Sequence, residues 1–128
     1  MPEIWYTKKA ILACARAHPI DLLVNMHNTE TGEFLDTEAS DADTLKLMRR
    51  FDALLTEQTT FDPSAPLGVR QMAPDDTNSL YGQAKIPVLL MEQRISTSKK
   101  LDRHPTTEDH LAFGKQLIQE MAEAVLKP

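Results

Sequence analysis

The spacing of apolar residues along the chain predicts three helices and two buried strands. Apolar residues three to four positions apart predict amphipathic helices over residues 3–17, 43–57 and 107–126. Two short apolar runs that end abruptly in polar residues predict strands over residues 21–27 and 86–92, and residues 33–35 can form a shorter one. This order of helices and strands predicts an α/β fold.

Local signals define the segments between these elements. His18-Pro19 ends the first helix, and Thr106 with Asp109 three residues later predicts a capping box for the last. Residues 58–85 contain five proline and glycine residues that exclude long elements, so we expect an irregular loop that is functional or mobile. Because two or three strands are few for a sheet, we expect part of the sheet to lie outside this sequence.

Composition and charge narrow the class of protein. The 128 residues are enough for one domain, residues 1–128, and the net charge of −5 argues against nucleic acid or an anionic membrane as the main partner. No apolar run approaches the roughly 18 residues of a membrane span. Cys14 is the single cysteine, which excludes an internal disulfide, and its apolar helical surroundings predict a buried, inert thiol.

Two residues at the predicted strand ends could carry chemistry. His27 ends the first strand and Glu92 ends the second, and sites in α/β sheets gather at the carboxyl ends of strands. Imidazole is a common zinc ligand, and a carboxylate in apolar surroundings suits a general base. The alternatives are a histidine bonded within a polar turn and a Glu92 that pairs with Arg94. A hydrolytic zinc site needs three protein ligands, so His27 by itself cannot form one.

Four segments together resemble the C-terminal half of a zinc carboxypeptidase of the M14 metallopeptidase family. They are Pro2-Glu3 at the start of a helix, the strand Asp21–Asn28, the strand Val88–Ile95 with Glu92-Gln93-Arg94, and the closing helix Thr106–Leu126. The resemblance implies a three-layer α/β/α fold with a mixed sheet and zinc-dependent release of C-terminal amino acids from peptides. It also implies that His27 is a zinc ligand and that Glu92 is the catalytic acid and base.

The same resemblance implies roles for two residues of the 58–85 segment. Tyr81 corresponds to a tyrosine that closes over the substrate, and Arg70 could bind a substrate carboxylate. In the family, the other zinc ligands and the main arginine lie upstream of every segment present here. The resemblance therefore implies an incomplete catalytic domain, which needs an N-terminal half or a homodimer partner.

Two other functions remain open at this point. Met26-His27-Asn28-Thr29 also resembles a stretch of the aspartoacylase and succinylglutamate desuccinylase relatives, which hydrolyse small N-acyl amino acids. Gln93-Arg94 departs from the glycine that usually follows their glutamate. The other hypothesis is a catalytically silent α/β module that binds or packs against another protein.

Overall fold

The computed structural model describes residues 2–70 and 79–127. Within them the chain forms α1 (Pro2–Ala17), β1 (Leu23–Thr29), β2 (Phe34–Thr37), α2 (Ala42–Gln58), β3 (Gly68–Val69), α3 (Leu80–Ala84), β4 (Val88–Arg94) and α4 (Thr107–Leu126). The three predicted helices are confirmed to within a residue at each end. Both predicted strands are confirmed but run two residues later than expected, and the short strand runs to Thr37.

The segment predicted as an irregular loop contains two short elements, β3 and α3. Ser79 caps α3 by accepting a hydrogen bond from the Gly82 N–H at 2.8 Å, and Lys85 ends it in the left-handed region with φ 53°. Residues 71–78 of the predicted loop lie outside the described residues.

The strands form one mixed sheet in the order β1-β4-β2-β3. β1 runs parallel to β4, β2 runs antiparallel to β4, and β2 runs parallel to β3. The α/β class and the mixed sheet are thereby confirmed. β4 lies between β1 and β2, and its residues Leu89, Leu90, Met91 and Glu92 have strand neighbours on both sides.

One face of this sheet packs against α2 and α4 to form the core. Alternate residues of β4, Leu89 and Met91, have no exposed surface, and Leu35 of β2 lies opposite Met91. Phe51 of α2 and Phe113 of α4 belong to the same cluster. Because side chains alternate between the two faces of a strand, Val88, Leu90 and Glu92 of β4 lie on the other face, away from the core.

The N-terminus of α4 has the predicted capping box. The Thr106 hydroxyl accepts from the Asp109 N–H at 3.3 Å, and the Asp109 carboxylate accepts from the Thr106 N–H at 2.7 Å. Arg103 donates to both carboxylate oxygens of Asp109, and these bonds hold the pKa of Asp109 well below its usual range. The start of α4 is fixed by its own sequence.

α1 has the predicted helical conformation, but much of its apolar stripe is exposed. Ile4, Trp5 and Tyr6 expose 63%, 52% and 65% of their surface. Cys14 is also exposed, so the prediction of a buried thiol is wrong. The helix contacts mainly α3 and leaves much of its apolar surface uncovered. Among the described residues no helix is long and apolar enough to cross a membrane.

Candidate functional site

His27 and Glu92 lie side by side on the face of the sheet that α2 and α4 leave free. They are direct partners in the parallel β1–β4 ladder, and 3.6 Å separates His27 Nδ1 from Glu92 Oε1. The His27 side chain is 52% exposed, whereas that of Glu92 is 15% exposed. Both lie two residues inside their strands rather than at the ends, because the ladder continues to Thr29 and Arg94. An accessible imidazole is thus held beside a largely buried carboxylate.

The second carboxylate oxygen of Glu92, Oε2, is buried and has no hydrogen-bond partner among the described residues. An unpaired buried polar atom costs about 1–3 kcal/mol, and native proteins rarely leave one without a reason. Arg94 does not pair with it, since its Nη2 donates to the Thr31 carbonyl at 2.7 Å. The oxygen is therefore an unpaired acceptor within the described residues.

The neighbouring glutamates do not extend this pair into a metal site. The Glu33 carboxylate accepts from the Asp62 N–H at 2.6 Å and the Arg94 N–H at 3.3 Å, and burial raises its pKa. Glu30 follows His27 with the His-x-x-Glu spacing of many zinc ligands, but it lies in the bend just after β1 ends at Thr29. Glu30 is exposed, and the described residues contain no group of three or more candidate ligands.

A polar cleft of about 280 Å³ opens beside His27. Arg70 and Asp36 line it, and Arg70 Nε and Nη2 both donate to Asp36 Oδ2, at 2.9 and 2.6 Å. β2 and β3 bring these residues together, because the Arg70 N–H donates to the Thr37 carbonyl at 2.8 Å. A guanidinium has five N–H donors, so Arg70 keeps donors for a second carboxylate.

Sequence reasoning identified Arg70 and His27 but missed Asn25, Asp36 and Glu38, which line the same cleft. Asn25 lies two residues before His27 on β1 and therefore shares its face. Asp36 lies between Leu35 and Thr37, and this alternation along a strand would have placed its side chain on the face opposite to theirs. The strand was expected to end at Leu35, so Asp36 was not considered.

A larger and more apolar cleft of about 690 Å³ lies on the other side of His27, between α1 and the sheet. Ile4 and Ile11 of α1 line it together with Leu23, Leu80 and Val88. His27 borders both clefts. A molecule bound at His27 would therefore meet a polar surface on one side and an apolar surface on the other.

Tyr81 is engaged elsewhere in this structure. Its side chain is 3% exposed, and its hydroxyl donates to Asp41 Oδ2 at 2.5 Å. The same hydroxyl accepts from the Ser40 and Asp41 N–H groups at 3.1 and 3.2 Å, and its bond to Asp41 lowers the pKa of that carboxyl to about 2. Tyr81 anchors α3 to the start of α2, and its predicted contact with substrate, which stays a prediction, would require α3 to move.

The amino-acid sequence was compared with known protein families and with curated proteins. No protein-family model and no curated protein sequence matches the chain. The resemblance to zinc carboxypeptidases thus rests on the four sequence segments, and family membership stays a prediction.

Proposed function

We propose that this chain forms part of the active site of a zinc-dependent hydrolase with a three-layer, carboxypeptidase-like fold, which releases the C-terminal amino acid of a peptide. The observation that carries the proposal is the Glu92 carboxylate, which has one buried, unpaired oxygen and lies 3.6 Å from an exposed imidazole. His27, a potential metal ligand, borders both clefts and has the Glu92 proton acceptor beside it, an arrangement that suits metal-assisted amide hydrolysis.

His27 fits the role of one zinc ligand. Its ring lies on a strand, which fixes its position, and more than half of its side chain is exposed to a bound group. The other ligands would come from outside the described residues, either from an N-terminal half or from a second copy of the chain. Bound zinc polarises a carbonyl and makes water more acidic.

Glu92 would move the proton during the reaction. Its carboxylate takes a proton from the attacking water, whose oxygen bonds to the amide carbon. When the carbon–nitrogen bond breaks, the same carboxyl group returns the proton to the leaving amine. Neighbouring strands on both sides of β4 hold Glu92 in place for both transfers.

Arg70 would bind the free carboxylate of the substrate within the polar cleft. Asp36 holds the guanidinium in position, and the Arg70 side chain is 57% exposed. Both a peptide C-terminus and a small N-acyl amino acid present a carboxylate next to a scissile amide, so Arg70 suits either substrate.

The test compares substrates with free and amidated C-termini in the presence of zinc, together with a panel of N-acyl amino acids. We expect cleavage only of substrates with a free carboxylate, and peptides to be cleaved faster than N-acyl amino acids. Arg70→Met should raise KM roughly 10- to 100-fold, because a hydrogen-bonded charge is lost. Arg49→Met, an exposed position on α2, is the matched control and should leave KM unchanged.

Equal cleavage of free and amidated peptides would contradict the role of Arg70. Faster cleavage of N-acyl amino acids than of peptides would show that the site belongs to an N-acyl amino acid hydrolase and not to a peptidase. No zinc-dependent cleavage of any substrate would overturn the proposed activity of this chain.

A further inference from the structure

The apolar cleft of about 690 Å³ and the polar cleft of about 280 Å³ share one wall. Asn25 and His27 of β1 and Val88 of β4 line both clefts. All three side chains lie on the face of the sheet that α2 and α4 leave free. A ligand held at His27 can therefore extend into both clefts at once.

The polar cleft is unsuited to a large apolar group. Three ionisable residues line it, Asp36, Glu38 and Arg70. An apolar group placed among them would take charged groups out of water, which costs free energy. The polar cleft is also the smaller of the two, so a small or polar part of a ligand fits it best.

The apolar cleft has the opposite character. Apart from the shared wall, it is lined mainly by aliphatic side chains, those of Ile4, Ile11, Leu23, Val24 and Leu80. Its other polar residues, Glu3, Thr7 and Lys8, all belong to α1. Its volume of about 690 Å³ lies within the usual range for ligand pockets, and its lining favours an apolar group.

The carboxylate of the substrate fixes its direction across the shared wall. In the proposed reaction Arg70 binds the carboxylate of the C-terminal residue, and that residue leaves as the amine. When the scissile carbonyl lies at His27, the C-terminal residue therefore occupies the polar cleft. The residue on the acyl side of the amide then points away from Arg70 and towards the apolar cleft.

We propose that the apolar cleft binds the side chain of the residue before the C-terminal one, and that the protein selects peptides with a large apolar side chain at that position. The inference rests on the proposed function, because the direction of the substrate depends on the contact between its carboxylate and Arg70. Selection then acts on the acyl side of the scissile amide, and the C-terminal side chain itself is preferably small.

α1 forms one side of this cleft, and Ile4 is its most informative residue. Ile4 exposes 63% of its surface and lines the cleft, so a bound apolar side chain would cover part of it. Tyr6 of the same helix is 65% exposed but does not line the cleft. The two positions therefore separate an effect of the cleft from an effect of α1 as a whole.

The test uses three N-acetylated dipeptides with free carboxylates: Ala-Ala, Phe-Ala and Ala-Phe. The last two have the same composition, so general hydrophobicity affects them equally. Calorimetry on the zinc-free 128-residue chain measures binding, and kinetics with added zinc measure kcat/KM. We expect N-acetyl-Phe-Ala to bind roughly 10- to 100-fold more tightly than N-acetyl-Ala-Ala, and N-acetyl-Ala-Phe to gain less than about threefold. The same order is expected in kcat/KM.

Ile4→Glu places a carboxylate in the apolar cleft and should reduce the preference for N-acetyl-Phe-Ala to less than about threefold. Tyr6→Glu adds the same charge at a similarly exposed position of α1 and is the matched control, expected to keep the preference of the parent chain. Circular dichroism verifies that both variants fold, and Ile4→Gln replaces Ile4→Glu if it does not.

Equal binding of the two isomers, or tighter binding of N-acetyl-Ala-Phe, would overturn the inference. A preference that persists in Ile4→Glu would place the apolar side chain elsewhere and overturn it as well. Cleavage of all three peptides at the same rate would overturn the inference and leave the proposed function in place. The expected order of binding without zinc-dependent cleavage would support the cleft as a binding site and overturn the proposed activity. Neither binding nor cleavage of any peptide would overturn both.

Discussion

Replacing Glu92 with glutamine is expected to lower kcat for amide hydrolysis by about 10²- to 10⁴-fold, with a much smaller change in KM. Glutamine has nearly the same shape, so it preserves the packing of β4, where the Glu92 side chain is only 15% exposed. It cannot accept the proton of the attacking water. The loss therefore appears in the chemical step, which steady-state kinetics on a free-carboxylate peptide would measure.

Glu30→Gln is the matched control for this experiment. Glu30 is exposed and lies three residues after His27, so the variant changes the net charge near the site but not the proposed base. Its kcat should equal that of the parent. A Glu92→Gln enzyme with full activity, or an equal loss in both variants, would remove Glu92 from the mechanism.

Truncating Phe51 to alanine is expected to reduce the free energy of unfolding by about 3–5 kcal/mol. Phe51 lies on α2 and has no exposed surface. It belongs to the core that joins α2 and α4 to the sheet. The variant loses the burial of the ring and leaves a cavity that the neighbouring side chains fill only in part. Urea unfolding should show a lower midpoint with an unchanged slope.

Leu111→Ala provides the comparison, since Leu111 of α4 is 70% exposed, and its cost should stay within about 0.5 kcal/mol. Domains of this kind are stable by only about 5–15 kcal/mol, so Phe51→Leu, a smaller truncation, keeps the measurement feasible if Phe51→Ala is unfolded. A Phe51→Ala variant as stable as Leu111→Ala would contradict this description of the core.

The helices and the fold class could be predicted because they depend on local patterns. Apolar spacing placed α2 and α4, and Thr106 with Asp109 fixed the start of α4. Both long strands were expected two residues too early, because the apolar run ends before the hydrogen-bond ladder does. Polar residues at the carboxyl end of a strand carry no apolar signal, although their backbones remain paired.

The candidate site was predictable only in part. That His27 and Glu92 are neighbours follows from the parallel pairing of two strands that are distant in sequence, and its register cannot be read from either strand alone. The Asp36–Arg70 pair depends on β3, which has two residues and no usable pattern. Cys14 was wrongly expected to be buried, since an amphipathic stripe predicts a helix but does not identify the surface that covers it.

The most direct test of the account is the zinc content of the 128-residue chain after dialysis against trace zinc, measured beside His27→Ala and His110→Ala. His110 is an exposed histidine of α4, and its replacement controls for nonspecific binding. The account predicts bound zinc in the parent and in His110→Ala, and none in His27→Ala. The same zinc content in all three proteins would contradict it, and the absence of zinc from the parent would contradict a site that this chain completes by itself or with a second copy.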